Sequence, residues 1–278
     1  MTRGHVGPVT AGRGAAGWVR SCDAGPARTM CTRVEESPPA IVDPDADRRF
    51  RALATGLGLD PDARFVGGYV GWEWSHARHV FDGLVAPVRG EPVLEVGCNV
   101  GATAIVLAAL GAEVTAVEPS PAYLDLARAN AERHGLSSRI AFVHVADTTR
   151  MPFERGRFSW VCCNSVLEYV APGALAGVLA EIDRVLRPGG LVAVLGTSNR
   201  AWPREGHSRR WLVNYVPRAL DFLVRSAPGA RVARGITARQ IRAVLRDYED
   251  RTRADGGRLY VAMKARMGVS GTRLAALT

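Results

Sequence analysis

Apolar strands alternating with amphipathic helices between residues 92 and 196 predict an α/β fold: a doubly wound, mostly parallel sheet with helices on both faces. Two further observations support that class. The apolar run Val93-Leu94-Glu95-Val96 breaks into Gly97-Cys98-Asn99-Val100-Gly101, a glycine-punctuated turn that opens a helix. The next apolar run ends in an acid, Glu118, about 20 residues on, the spacing at which neighbouring parallel strands present a loop and a carboxylate to one nucleoside.

The elements follow from periodicity and punctuation. Strands are expected over Pro92 to Gly97, Glu113 to Glu118, Ile140 to Val145, Phe158 to Cys163 and Leu191 to Gly196, each short and rich in Val, Ile, Phe or Leu. Helices are expected over Ala102 to Leu110, Pro121 to His134 and Leu175 to Leu186. Ser120-Pro121 reads as an N-cap followed by proline at the first helical position, and Arg187-Pro188-Gly189-Gly190 as a helix stop that turns into a strand. Right-handed crossovers then make the five strands parallel.

Around this core, residues 1–45 carry Gly, Pro, Ala, Arg and Ser without sustained periodicity and read as a disordered extension without the apolar core of a secretory signal peptide. Met30, ahead of a more ordinary sequence, reads as an alternative start to Met1, and the sequence alone does not choose between them. Residues 46–90 read as a helical cap, 91–200 as the core, and 201–278 as a substrate-pocket segment with C-terminal helices, one over Ile236 to Tyr248 and a loose tail after Met267.

The formal charge of +9 is spread through Arg residues rather than gathered in a block, which fits solvated faces better than a dedicated polyanion site. No apolar stretch reaches the roughly 18 residues that span a bilayer. The five cysteines, at 22, 31, 98, 162 and 163, show no metal-type spacing, and adjacent Cys162 and Cys163 would point to opposite faces of a strand. A reducing cytoplasm is the expected setting, with no resident metal.

Two familiar nucleotide loops are excluded. The dinucleotide fingerprint G-x-G-x-x-G fails because positions 99 and 102 are Asn and Ala, and there is no G-x-x-x-x-G-K-[ST]. What stands there is Glu95-x-Gly97-x-Asn99-x-Gly101, then Glu118-Pro119-Ser120, Ala146-Asp147, Leu167-Glu168-Tyr169-Val170 and Leu186-Arg187-Pro188-Gly189-Gly190. These five elements, in this order over about residues 90 to 200, resemble the motifs of class I S-adenosylmethionine-dependent methyltransferases, in particular the quinone and small-molecule subset. The resemblance implies a Rossmann-like fold and S-adenosylmethionine as cofactor.

Physical roles can be attached to these residues. Gly97 and Gly101 lack a Cβ, so backbone can approach the ligand, and the helix after Gly101 offers its positive end to a carboxylate. Asn99 and Pro119 belong to the two motifs that flank the cofactor. Glu118 has two oxygens able to accept the ribose hydroxyls. The resemblance further implies Asp147 at the adenine amine, with Glu95 and Asn164 at the amino-acid end. Ser159 and Tyr169 depart from the pattern, Tyr169 standing where many quinone-type relatives have His.

An acceptor that must lose a proton needs a base. The first candidate is His207, in Asn199-Arg200-Ala201-Trp202-Pro203-Arg204-Glu205-Gly206-His207, a spacing similar to a segment of some quinone- and lipid-type methyltransferases. His76 and Tyr169 are further catalytic candidates, while His79 fits packing of the cap better. Tyr69, Trp72, Trp202, Trp211 and Tyr215 are candidate pocket walls. The expected acceptor is a small, hydrophobic or biosynthetic molecule methylated at oxygen or nitrogen. A peptide or protein terminus, a non-catalytic partner subunit and peripheral contact with a membrane are the alternatives. Asn164-Ser165-Val166-Leu167 lacks the Asn/Asp-Pro-Pro-Tyr/Phe element of nucleobase enzymes, so no nucleic-acid partner is expected.

Overall fold

A computed structural model of the chain describes residues 37–81, 88–198, 200–204, 210–224, 235–250 and 260–264. Seven strands form one sheet: β1 (Pro92–Val96), β2 (Glu113–Glu118), β3 (Ile140–His144), β4 (Phe158–Asn164), β5 (Leu186–Leu195), β6 (Tyr248–Asp250) and β7 (Tyr260–Lys264). Their order is β3-β2-β1-β4-β5-β7-β6. The five expected strands are parallel, while β7 runs antiparallel to both β5 and β6. The chain winds outward from β1 to β3 and then returns to β4 on the other side of β1. That reversal opens a crevice at the carboxyl ends of β1 and β4, where open α/β sheets bind ligands.

The helices are α1 (Pro44–Gly56), α2 (Tyr69–His76), α3 (Ala102–Ala109), α4 (Pro121–Arg133), α5 (Leu175–Val185), α6 (Asp221–Val224) and α7 (Ala238–Val244). Ser120 caps α4 with its side chain, and Pro121 occupies the first turn. Helix α3 is buried along nearly its whole length, consistent with its run of Ala, Ile, Val and Leu. Central strand β4 is buried on both faces, as a strand covered by helices above and below must be. Cys162 and Cys163 lie in that strand as free, buried thiols; burial pushes the Cys163 thiol up to about 12.

Three expectations need correction. Residues 37–45 are not disordered: the Val42 amide donates to the Arg133 carbonyl at 2.7 Å, and Asp43 caps α1, accepting from the Asp45 and Ala46 amides at 2.9 and 3.0 Å. Asp43-Pro44 was itself a helix-start signal. The helix expected over Ile236 to Tyr248 is only α7, started by a Thr237–Gln240 capping box, and Tyr248 already belongs to β6. The C-terminal region therefore contributes two strands as well as helices. The fifth strand begins at Leu186, and the Arg187–Gly190 turn is accommodated as a register shift between the Phe158–Leu186 and Trp160–Leu191 pairs.

The cap is fastened to the core through one buried cation. Arg133, 2% exposed, donates to Asp47 on α1 at 2.9 Å, to the Gly67 carbonyl at 3.0 Å and to Asn130 at 2.8 Å. Its guanidinium carbon lies 3.8 Å from the Phe50 ring centroid. Helix α1 packs on α4 and α2 on α3, which sets α2 over the end of the crevice.

Candidate cofactor and acceptor site

A cavity of about 910 Å³ occupies that crevice. Its floor is the turn after β1. The Gly97 and Cys98 amides donate to the Val117 carbonyl at 2.9 and 3.0 Å, so the turn is anchored to β2. Gly97, Asn99 and Gly101 all have left-handed φ angles, at 75°, 50° and 78°. A Cβ on Gly97 would lie 2.7 Å from Val166 Cγ2, and one on Gly101 would lie 3.1 Å from the Ala127 Cβ. Both glycines make room for neighbouring protein, Gly97 for Val166 and Gly101 for Ala127. Gly97 lines the cavity, whereas Gly101 sits against α4.

Glu118 ends β2 at the cavity edge, 8% exposed, beside Pro119. Its Oε2 accepts from the Asn99 amide at 2.9 Å and its Oε1 from the Ser120 amide at 3.1 Å. Each oxygen keeps acceptor capacity for a further donor. Asp147, after β3, accepts at Oδ1 from the Thr149 hydroxyl and amide at 2.6 and 2.9 Å. Those bonds, the hydroxyl first, hold its carboxyl below the usual range. Asp147 is therefore an ionised acceptor on the cavity wall.

Deeper in, Asn164 Nδ2 donates to Thr103 Oγ1 at 3.0 Å, tying the end of β4 to the first turn of α3. Glu95 lies beside them, 2% exposed, with Oε2 lacking any hydrogen-bond partner. Burial, and then the Glu73 charge, push its carboxyl up to about 8 against opposing bonds from Thr103 and the Ala104 amide. Glu73 comes from α2 and is 4% exposed; burial raises its carboxyl too, while bonds to Asn164 and Tyr69 lower it. Sequence reasoning passed over Glu73, although a lone acid inside Tyr69-Val70-Gly71-Trp72-Glu73-Trp74 was a signal that this acid faces something polar.

The outer wall is aromatic. Tyr69, Trp72, Trp202 and Tyr169 line the cavity, joined by Phe65, whose ring meets Tyr69 and Trp72 edge-on at 5.6 Å each. Tyr169 is half exposed, with its amide held by the Val166 carbonyl at 2.9 Å. His76 does not line the cavity: it is exposed, stacks on Trp72 at 3.5 Å and donates through Nδ1 to the Trp72 carbonyl at 2.7 Å. Trp211 and Tyr215 are exposed away from the lining, the Tyr215 hydroxyl donating to the Ala201 carbonyl at 2.7 Å. His207 lies outside the described residues.

Residues 93–190 match the sequence pattern of the family described as a methyltransferase domain. The core is a class I S-adenosylmethionine-dependent methyltransferase domain. The chain is 30% identical over 159 residues to a ubiquinone biosynthesis O-methyltransferase of Methylocella silvestris, covering 56% of this chain and 60% of that one. It is 36% identical over 125 residues to a demethylmenaquinone methyltransferase of Clavibacter sepedonicus, covering 44% and 49%. The chain thus spans less than two thirds of either relative. An S-adenosylmethionine-dependent methyltransferase structure from Methanosarcina mazei shares the fold, with a TM-score of 0.52 at 19% identity over 68% of this chain and 96% of that one.

The methyltransferase cavity fits its family's cofactor on structural grounds. A buried carboxylate oxygen without a partner, Glu95 Oε2, is costly unless a donor reaches it, and the amino-acid end of the cofactor carries such a donor. Glu118 would hold the ribose, Asp147 the adenine amine, and Glu95 with Asn164 the amino-acid end.

Proposed function

We propose that the protein transfers the methyl group of S-adenosylmethionine to oxygen or nitrogen of a small, hydrophobic acceptor. The observation that carries this reading is one cavity lined both by the acids Glu118, Asp147 and Glu95 and by the rings of Phe65, Tyr69, Trp72, Tyr169 and Trp202. A cavity with both kinds of lining has polar groups for a cofactor and ring faces for a flat apolar molecule beside it. The two quinone-pathway relatives support a phenolic or quinone-like acceptor.

The bound cofactor supplies an electrophilic methyl group on a sulfonium. The chain's own contribution is positioning, because an in-line displacement depends on holding the acceptor lone pair on the sulfur-to-methyl axis. Strands β1, β2 and β4 fix one reactant through Glu95, Glu118 and Asn164, while the cap fixes the other through its aromatic face. Removing the acceptor proton falls to a base for which His207 and Tyr169 are the candidates. No helix among the described residues is long and apolar enough to cross a membrane, and action in the cytoplasm on a freely diffusing acceptor is part of the proposal.

The test is a screen of phenol, catechol and amine acceptors with S-adenosylmethionine, reading formation of S-adenosylhomocysteine. Acceptor-dependent product with a planar apolar molecule is expected. Binding of the cofactor with turnover on a peptide terminus alone would overturn the small-molecule assignment.

A further inference from the structure

The chain carries a formal charge of +9, yet among the described residues the cavity is lined by Glu73, Glu95, Glu118 and Asp147 and by no Lys, Arg or His. An acidic chamber in a basic protein calls for a cationic ligand. Two of these acids are special. Glu95 on β1 and Glu73 on α2 are almost completely buried, and Glu95 Oε2 has no partner within the protein. Two carboxylates sharing a low-dielectric chamber repel each other unless a proton or a cation lies between them. A primary ammonium has three N–H donors and one positive charge, which suits such a pair.

We propose that Glu73 and Glu95 together seat the ammonium group at the amino-acid end of the cofactor, so that the cap helix supplies one of the two carboxylates. The inference rests on the cofactor reading above and extends the site beyond the 93–190 domain to a residue of α2. Glu73 is held for this task by the Tyr69 hydroxyl and the Asn164 amide, and Glu95 by Thr103 and the Ala104 amide. Glu73 is hydrogen-bonded by Tyr69 of its own helix and Asn164 of β4, and it is coupled through charge to His76 of α2, Cys162 of β4 and Glu95 of β1; Glu118 of β2 acts on Glu95.

A second consequence concerns protons. With no cation present, mutual repulsion and burial favour one proton on the pair near neutrality, in line with the raised Glu95 carboxyl. Seating the ammonium replaces that proton. Cofactor binding near pH 7 should therefore release up to about one proton, and affinity should rise with pH toward 8.

The decisive experiment is calorimetric titration of wild type and Glu73→Gln with S-adenosylmethionine, S-adenosylhomocysteine and 5′-methylthioadenosine, each in two buffers of different ionisation enthalpy. The last ligand keeps adenosine and sulfur but lacks the amino-acid end. Wild type should release a proton with the first two ligands only. Glu73→Gln should bind those two about tenfold or more weakly, as removal of one charge from a buried pair predicts, and should bind 5′-methylthioadenosine unchanged. A carboxylate-facing role for Glu73 would give the opposite sign, because removing its charge would strengthen binding. Equal loss for all three ligands, or no loss and no proton release in wild type, would overturn the ammonium seat. Failure of wild type to bind any of them would instead overturn the cofactor reading on which it rests.

Discussion

Glu118 Oε2 accepts a hydrogen bond from the Asn99 amide at 2.9 Å, so the acid that ends β2 is fastened to the glycine turn that follows β1. The two motifs are thereby one structure: the carboxylate holds the turn, and the turn orients the carboxylate. Asn99 itself sits at a φ of 50°, a conformation that Asn tolerates better than most residues with a side chain.

Replacing Glu118 should therefore do two things at once. Glu118→Ala is expected to weaken S-adenosylmethionine binding by about 1 to 3 kcal/mol, the cost of leaving donors without a charged acceptor, and also to loosen the Asn99 turn. Calorimetry reads the first effect and thermal unfolding of the ligand-free protein the second. Wild-type affinity in this variant would remove Glu118 from the cofactor site.

The Gly97 site is closed by Val166, not by open space. Gly97→Ala should destabilise the protein by about 1 to 3 kcal/mol through its left-handed φ and the 2.7 Å approach to Val166 Cγ2. Val166→Ala in the same chain should restore part of that loss, which a denaturant double-mutant cycle would measure. Simple additivity of the two changes would show that the clash is relieved some other way.

Stability should depend on pH through Glu95. Burial raises its folded carboxyl to about 8, well above the usual carboxylate range, so the folded state holds its proton over a window in which the unfolded chain has lost it. The stability this proton secures is complete below the unfolded value and is lost as pH rises toward 8. The Glu95 contribution should thus fall between about pH 5 and 8, with the raised Glu73 acting in the same direction and the buried, lowered His134 in the opposite one, and Glu95→Gln should remove the Glu95 part of the slope. Asp147 and Glu181, whose carboxyls are lowered, lose their contributions at the acid end and leave this window intact. An unchanged slope in Glu95→Gln by urea unfolding would refute the assignment.

Arg133 joins three elements through one side chain. Arg133→Ala should cost about 3 to 5 kcal/mol, because it strands the Gly67 carbonyl and the Asn130 side chain and removes the charge opposite Asp47. Arg133→Lys should recover only part, since an ammonium cannot reproduce the planar fork over Phe50. Proteolysis of the cap at native conditions would rise in both variants.

For the chemical step, His207→Ala should lower turnover while leaving cofactor affinity nearly intact, and Tyr169→Phe should do the same if the hydroxyl takes part. Turnover assays beside calorimetry separate the two candidates. Wild-type turnover in either variant removes that residue from the mechanism.

The sequence by itself determined the parallel core and the acidic and glycine positions around it. Strand periodicity, Ser120-Pro121 and the Gly97 to Gly101 turn are local signals, and local signals set β1 to β4 and α3 to α5 nearly to the residue, while β5 starts five residues before its expected Leu191. Tertiary structure decided what long-range packing alone can settle. Strand β7 exists because β5 offers an open edge, so five residues pair as a strand that no local pattern announced. His76 and Glu73 sit on one short helix, yet α2 turns Glu73 into the cavity and leaves His76 stacked on the outside of Trp72. The glycines serve Val166 and Ala127, neighbours 69 and 26 residues away, whose contacts depend on how α4 and the β4 loop close on the turn. Backbone preference is written within a few residues of where it acts, whereas burial, and with it the charge state of Glu95, depends on every element packed around it.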